Sequence, residues 1–595
     1  MQVVNELMAA LRGEGVGSHF VARLVNRLAF FMLAALIGAL VGFSTLLLIK
    51  LILLVQWLGY AQAAEDQFAS IAAGLPAWRV ILVPAVGGLL VGLLLQRLPD
   101  KRYHGIADVM EACALNSARM PARSGLVAAL AAGLSLGVGA PLGREGPAVH
   151  IGASLSAWFA ERLGLDHKQS LALLGCGAAA AVAASFNAPV AAVIFALEVI
   201  VGYYTLRVFA PVVIAALFAM VVRHAFLGTE PLFPVPAYQM SSLWELLSFA
   251  LLGVTGALVA RLLLLSVGAF SNGFTWLHIP PWLRPALAGI AIGLVAVVLP
   301  DVLSVGFEAT FAAVRGELPS QMLLTLLLAK IGLVALALGS GFAGGVFSPA
   351  VFIGATLGGT FWWLLSMTGL PLAEQSVYSV IGIAAVASAL LGAPISTILI
   401  VFELTRNYEV TLGVMTAAAF SSTVMQLGGY GSYFRWQLAQ RSVNLSGGRD
   451  ISLLMTHRVE DLISQHYAEV DVNITAGDLE SRLGTERLRL AMFVDEEGVF
   501  QGSVNLSALI AHAIANGMES RALDAAFSPD YAISPLTNIV TAVQVMAEQQ
   551  VEFIPVILEE SPGVIRLQGA VLKTDLLAEH YDVVKRARED EFGIT

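Results

Sequence analysis

Between Leu28 and Ile49 the chain carries no charged side chain, and these 22 residues, at about 1.5 Å each, make about 33 Å of helix, enough to cross the hydrocarbon core of a bilayer. Arg12, Arg23 and Arg27 precede the run. An excess of positive charge before a first span predicts a cytoplasmic N-terminus. The run begins too late and lasts too long for the apolar region of a signal peptide, so it is expected to stay as a span. Val80–Gln96 forms the next apolar block. Beyond it glycine and proline interrupt the apolar stretches at Gly139–Pro147, Asn187–Pro189, Gly339–Pro349 and Gly392–Pro394. A break inside lipid frees backbone N–H and C=O groups, which are tolerated only where they line protein or a water-filled cavity, so such breaks mark a permeation or binding site. After Arg441 the polar segment 442–451 reads as a linker. Helix and strand signals then alternate. Residues 491–516 predict strand, turn, strand and helix, and residues 552–580 repeat the scheme with a helix starting near Thr574, which together give two βαβ-type modules.

The apolar part is duplicated. Residues 147–155 (PAVHIGASL) and 349–357 (PAVFIGATL) share seven identities in nine. Downstream, Ala188-Pro189-Val190 matches Ala393-Pro394-Ile395, and Glu198 matches Glu403 at the same offset of 205. The match leaves parallel and inverted repeats open. Broken helices at equivalent points of two halves predict a site near the membrane midplane, where the halves meet.

Composition sharpens the class. The chain has 595 residues, 57% hydrophobic and 13% charged, about half the charged fraction of a soluble domain. Residues 451–595 hold 10 Lys and Arg against 23 Asp and Glu, a net charge of −13, whereas residues 1–450 are net +3. The overall charge of −10 argues against nucleic acid as a partner, since phosphate backbones are bound by replacing their counterions with basic groups. Cys113 and Cys176 offer neither a disulfide framework nor paired metal ligands. The chain carries no HExxH and no CxxC, its ten histidines are scattered, and neither an enzyme nor a metal site is expected.

The chemistry concentrates at Gly143-Arg144-Glu145-Gly146-Pro147. Proline suits the first turn of a helix, and the glycines let the chain turn sharply and expose amides. A helix N-terminus aimed into a cavity holds a small anion through unpaired N–H groups and partial positive charge, weakly enough for the ion to leave. Glu145 stands at that N-terminus, where its carboxylate can occupy the anion position when ionised and vacate it when protonated or displaced. This makes Glu145 a candidate gate, because an ionisable residue inside a membrane is functional by default. Gly344–Pro349 repeats the design without a carboxylate.

GREGP at 143–147, the GxFxP-type run Gly345–Pro349, FNAP at 186–189 and the tyrosine that closes GGYGSY at 428–433 together resemble the signatures of the CLC chloride channel and chloride/proton exchanger family, in the expected order. The resemblance spans nearly all of residues 20–441. It implies an all-α polytopic membrane domain over 28–441, built as an inverted repeat with broken and re-entrant helices and preceded by a cytoplasmic segment 1–27. It further implies a homodimer with one pathway for chloride and related monovalent anions per subunit, in a bacterial inner membrane, with lipid around it and both termini cytoplasmic. Residues 452–583 resemble the paired cystathionine-β-synthase-type (CBS) modules that many members append as an α/β tail, leaving 584–595 as a charged C-terminal end. Carried over by position, Glu145 matches the gating glutamate. Arg144 and Gly146 supply amides to the outer anion site, Val346 and Phe347 supply amides to the central one, and Tyr433 gives its hydroxyl, a neutral donor suited to reversible halide binding.

Two departures from the family pattern stand out. Residues 103–109 read Tyr-His-Gly-Ile-Ala-Asp-Val where the family has Gly-Ser-Gly-Ile-Pro-Glu, so His104, ahead of Gly105 and Ile106, takes the place of a serine that meets the central anion. An imidazole with a reference pKa near 6.5 brings acid modulation with it. The alternative is that His104 turns away to a backbone carbonyl. Val199 stands where many proton-coupled members carry the inner proton-transfer glutamate, while Glu198 lies on another helical face. This favours a passive voltage- and pH-sensitive chloride channel gated by Glu145. The alternative is a chloride/proton antiporter that uses another inner proton path. In the tail, the run from Gly569 to Leu576 keeps the aspartate of a ribose-binding pattern, Asp575, whereas the first module has Ala508 there. No cofactor is required, and one adenine-nucleotide site at most is expected, with a purely structural tail as the alternative.

Overall fold

The computed structural model describes residues 17–62, 67–116, 118–202, 206–229, 244–429, 431–441, 443, 454, 457–527, 532–561 and 564–592. Most of the expected N-terminal segment 1–27, nearly all of the 442–451 linker, and the last residues of the 584–595 end lie outside them. The chain divides into two compact units, Met1–Val443 and Asn444–Thr595.

The first unit is helical throughout. Apart from a short helix Phe68–Ala73 that has no α-helical counterpart in the second half, its first half consists of α1 Gly17–Tyr60, α2 Ala77–Leu95, α3 Ile106–Ala114, α4 Ala122–Gly137, α5 Glu145–Arg162, α6 His167–Phe186, α7 Pro189–Phe195 and α8 Leu206–Leu227. Its second half consists of α9 Glu245–Trp276, α10 Arg284–Val298, α11 Phe307–Val314, α12 Ser320–Ser340, α13 Phe347–Ser366, α14 Gln375–Leu391, α15 Pro394–Thr405 and α16 Tyr408–Leu427, and a short α17, Tyr433–Ala439, closes it. The two halves correspond helix by helix. Among the described residues eight helices are long and apolar enough to cross a membrane. The helix α1 outruns the predicted 22-residue span because Lys50 is exposed, and a lysine stem lies along an apolar surface without ending the helix. The short helices α3 and α11 carry too few turns for an apolar period to reveal.

All four predicted breaks are present, between α4 and α5, α6 and α7, α12 and α13, and α14 and α15. Each half repairs the breaks of the other. Gly143 donates its N–H to the Gly345 carbonyl at 2.8 Å, and Gly345 donates back to Gly143 at 2.7 Å, an antiparallel bridge between equivalent residues of the two repeats. Glu198 accepts from the amides of Ile395 and Ser396 at the start of α15, at 3.1 and 2.8 Å, and from the Ser396 hydroxyl. Glu403 accepts from the matching amides of Val190 and Ala191 at the start of α7, at 3.1 and 2.8 Å. Glu198 and Glu403 are therefore helix caps given by one half to the other. A Cβ on Gly88 would lie 2.3 Å from the Pro285 carbonyl oxygen, and one on Gly289 would lie 2.2 Å from that of Pro84, so α2 and α10 cross on reciprocal glycines. Reciprocal contacts between equivalent residues require a local two-fold axis, the symmetry of an inverted repeat.

The second unit is α/β. Strands β1 Ala468–Asp471, β2 Leu490–Val494 and β3 Phe500–Asn505 form one sheet, β1 parallel and β3 antiparallel to β2. Strands β4 Phe553–Ser561 and β5 Val564–Leu572 form an antiparallel pair, with Ile533 bridging Val556 in parallel. Gly502 and Gly569 stand at corresponding points, opposite Phe493 and Val556, as expected of two copies of one module. The β2–β3 turn is tied by Asp495, whose carboxylate accepts from the N–H of Val499 at 2.9 Å, from the Gln501 amide at 2.7 Å and from the N–H of Glu497 at 3.0 Å. The Val499 amide is the main reason why this carboxyl is held below the usual carboxylate range. The last helix, Lys573–Phe592, runs past the expected boundary at 583, because the charged end is made of good helix formers.

The exchanged caps yield a prediction. Glu198→Ala or Glu403→Ala leaves two helix-start amides without an acceptor, at an expected cost of about 1 to 3 kcal/mol. Glu→Gln, which keeps one acceptor oxygen, should cost less at either position. Thermal unfolding in detergent reads the order, and equal midpoints for wild type and both Ala variants would show that the caps do not stabilise the fold.

Candidate functional site

The helices α5 and α13 start at the Gly143–Gly345 bridge, so their N-termini converge on one point. Arg144 and Val346 precede these helices, and neither turns a side chain back onto the first-turn amides. What covers the amides is the Glu145 carboxylate. It is buried at 2% exposure. One oxygen, Oε1, accepts from the Ser348 hydroxyl at 2.6 Å, and the carboxylate also engages the backbone N–H groups of Glu145 and Ser348. The other oxygen, Oε2, is buried and has no hydrogen-bond partner. Gly143 cradles this arrangement, since a Cβ there would come within 2.5 Å of Oε2 and 3.0 Å of the Ser348 nitrogen. The carboxylate thus lies across the N-terminal amides of both repeats, where a helix dipole pair favours negative charge. If it leaves, an anion can take its place on the same donors.

Ser348 escaped the sequence reading, which took its segment as a source of amides alone. The signal was present in the chain, as a hydroxyl residue at the second helical position opposite a carboxylate of the other repeat.

Phe347 packs its ring on Phe186 at 4.3 Å between centroids. Behind these rings is a narrow apolar cavity lined by residues that include Val314, Val351, Ile400 and Val401, and no ionisable side chain lines it. Val199 is buried in a single π-turn, Ala196–Val201, that extends α7. Tyr433 is buried at the start of α17. Its hydroxyl oxygen accepts from the Gln437 amide at 2.9 Å, which leaves its own proton for donation.

The loop before α3 differs from expectation. His104 turns neither to an anion site nor to a carbonyl; its Nε2 meets both oxygens of the Asp100 carboxylate, at 2.8 and 2.9 Å. A carboxylate four residues away is a stronger partner for an imidazole than a carbonyl. The Gly105 N–H donates to Asp108 Oδ2 at 2.7 Å, so this amide serves a cap, and Ile106 is buried in the first turn of α3. Asp108 also pairs with Arg102 at 2.6 Å and with Arg441 at 2.9 Å, which ties the loop to the end of α17. The hydroxyl that approaches the α5 N-terminus belongs to Tyr103. It is buried without a partner, would lie 3.8 Å from a Cβ on Gly146, and is within electrostatic reach of Glu145 and Tyr433.

Comparison with known proteins agrees with this geometry. The voltage gated chloride channel family profile matches residues 87–426. The voltage-gated ClC-type chloride channel ClcB of Escherichia coli O157:H7 is 30% identical over 420 residues, covering 69% of this chain and 99% of that one. Two solved structures share the fold. A slow cyanobacterial Cl⁻/H⁺ antiporter superposes with a TM-score of 0.61 at 21% identity, over 69% of this chain and 97% of its own. A CLC-type fluoride/proton antiporter gives 0.58 at 22% identity, over 68% and 96%. With its broken helices meeting at Glu145 and the profile match across its membrane unit, the chain belongs to the CLC family of anion transport proteins.

Proposed function

We propose that this protein is a passive, voltage- and pH-sensitive chloride channel whose gate is the Glu145 carboxylate. The observation that carries the reading is that carboxylate lying across the amides of α5 and α13 while held by Ser348. An anion and the ionised carboxylate compete for one set of donors. Protonation removes the charge that those donors hold, and the side chain can then leave. Gly146, Val346 and Phe347 contribute backbone to the site, and the Tyr433 hydroxyl, polarised by Gln437, donates to an ion beyond it. Arg144, seated over the Phe307 ring at 5.5 Å, adds positive potential near the gate without a fixed cation in the pathway.

The passive reading rests on Val199, which has no proton to pass, and on the apolar lining beneath Phe347. A chloride/proton antiporter is the second reading, and it requires that protons reach Glu145 by another route. The assembly is inferred to be a homodimer with one pathway per subunit in a bacterial inner membrane, both termini cytoplasmic. In the tail, Asp575 lies in the first turn of the last helix and is inferred to hold the ribose of one adenine nucleotide.

Four outcomes test these readings. In reconstituted bilayers with a chloride gradient, a proton gradient should leave the reversal potential unchanged; a shift toward a coupled value would establish the antiporter. Glu145→Gln should abolish the pH dependence of gating, and Ser348→Ala should raise the ratio of open to closed gate by about tenfold to a hundredfold, the worth of one hydrogen bond to a charged group. An open fraction equal to wild type in Ser348→Ala would deny the serine its part. Calorimetric titration of the full chain with ATP, ADP and AMP should give heat with one of them that Asp575→Ala removes, and silence with all three rejects the nucleotide site.

A further inference from the structure

Beside the candidate gate lies an ionisable cluster that the pore reading leaves without a task. His150, in the second turn of α5, is wholly buried, and neither of its ring nitrogens has a hydrogen-bond partner. A histidine kept for structure bonds at least one nitrogen, because a buried polar group without a partner is costly. The His104 ring meets that of His150 edge to face, with centroids 5.7 Å apart and an interplanar angle of 65°. His104, 14% exposed, is held by Asp100, whose side chain is 37% exposed. The contacts run stepwise from a solvent-exposed carboxylate through a mostly buried imidazole to a fully buried one. One turn before His150 on the same face of α5 stands Gly146, where a Cβ would lie 3.8 Å from the Tyr103 hydroxyl, and that hydroxyl and Glu145 Oε2 are likewise buried and unpartnered. An imidazole has two nitrogens, so a proton can enter at one and leave from the other.

We propose that His104 and His150 form a proton relay between the Asp100 side of the protein and the Glu145 carboxylate, through which pH on that side sets the state of the gate. The proposal rests on the reading of Glu145 as the gate. His104 takes up one proton from solvent, and the Asp100 carboxylate stabilises the imidazolium. His104 passes the proton to a nitrogen of His150 and returns to its neutral form. His150 passes it to Glu145 Oε2 through the Tyr103 hydroxyl, which gives up its own proton and accepts the one from His150. One proton moves and nothing is oxidised. The charged groups whose fields reach His150 are Asp108, Arg102 and His104. Asp108 is shared by Arg102 and Arg441, and Arg441 also faces Glu111 at 3.7 Å. Among the described residues, α4 and α13 bring no ionisable side chain to their buried faces, α6 brings only Cys176, and α1 brings only Tyr60.

The test uses the full-length protein in planar bilayers, with chloride as the charge carrier and the pH varied on one face at a time. Wild-type conductance should respond to pH on both faces. His150→Asn should leave the response on one face within about twofold between about pH 5 and pH 8 while the opposite face keeps its own. His104→Asn, at the partly exposed end, should do the same and serves if the buried variant does not fold. Adding His150→Asn to Glu145→Gln should change nothing further. A histidine with a structural role would alter conductance at every pH and would not select a face. Two-sided pH dependence that survives both histidine substitutions overturns the relay, as does a wild type that ignores pH. A pH dependence that survives Glu145→Gln overturns instead the reading of Glu145 as the gate.

Discussion

A helix broken inside a membrane exposes amides and carbonyls that lipid cannot satisfy, and the whole membrane unit is organised around that constraint. Each half of the duplication supplies what the breaks in the other half need. Gly143 and Gly345 exchange backbone hydrogen bonds at one pair of breaks, and Glu198 and Glu403 exchange caps at the other. Neither half can be satisfied alone, so duplication and breaks stand or fall together.

Because the halves repair each other, two helix N-termini can be aimed at one point without collapsing on their own loops. The point they share is a place for one negative charge. Under the proposed function, the Glu145 carboxylate and an ion compete for the same donors, and small groups nearby can bias the outcome. Ser348 biases it toward the carboxylate, adding a hydroxyl where the repeat symmetry brings the second helix against the first. The buried Tyr103 and Tyr433 hydroxyls are neutral donors, of the kind that the same reading needs to hold an anion without trapping it.

The second unit follows a different logic. Its two related modules, the first a strand–helix–strand–strand–helix unit and the second with a single bridge at Ile533 in place of the first strand, bury apolar residues such as Phe493, Val504, Leu479 and Leu509 between sheet and helices. Its charge of −13 belongs to that unit and leaves the anion preference of the pore untouched.

Much of this was legible in the chain. The positions of the four breaks, the duplication at 147–155 and 349–357, and the placement of Glu145 at a helix start follow from glycine, proline and charge in an apolar background, where each such residue has few explanations. The reciprocity of α2 and α10 left no clear trace, because what it conserves is the absence of a side chain at Gly88 and Gly289. Nor could the sequence show which way a polar side chain turns. His104 was read by its position in a motif, but Asp100 was close enough to claim it, and the hydroxyl near the gate came from its neighbour Tyr103. His150 read as one more residue of a repeated helix until folding set it against His104. Local sequence determines where backbone must break and where a charge must matter, because those costs are paid within a few residues. Which partner each polar group finds across distances of hundreds of residues is decided only when the two halves close around their common axis.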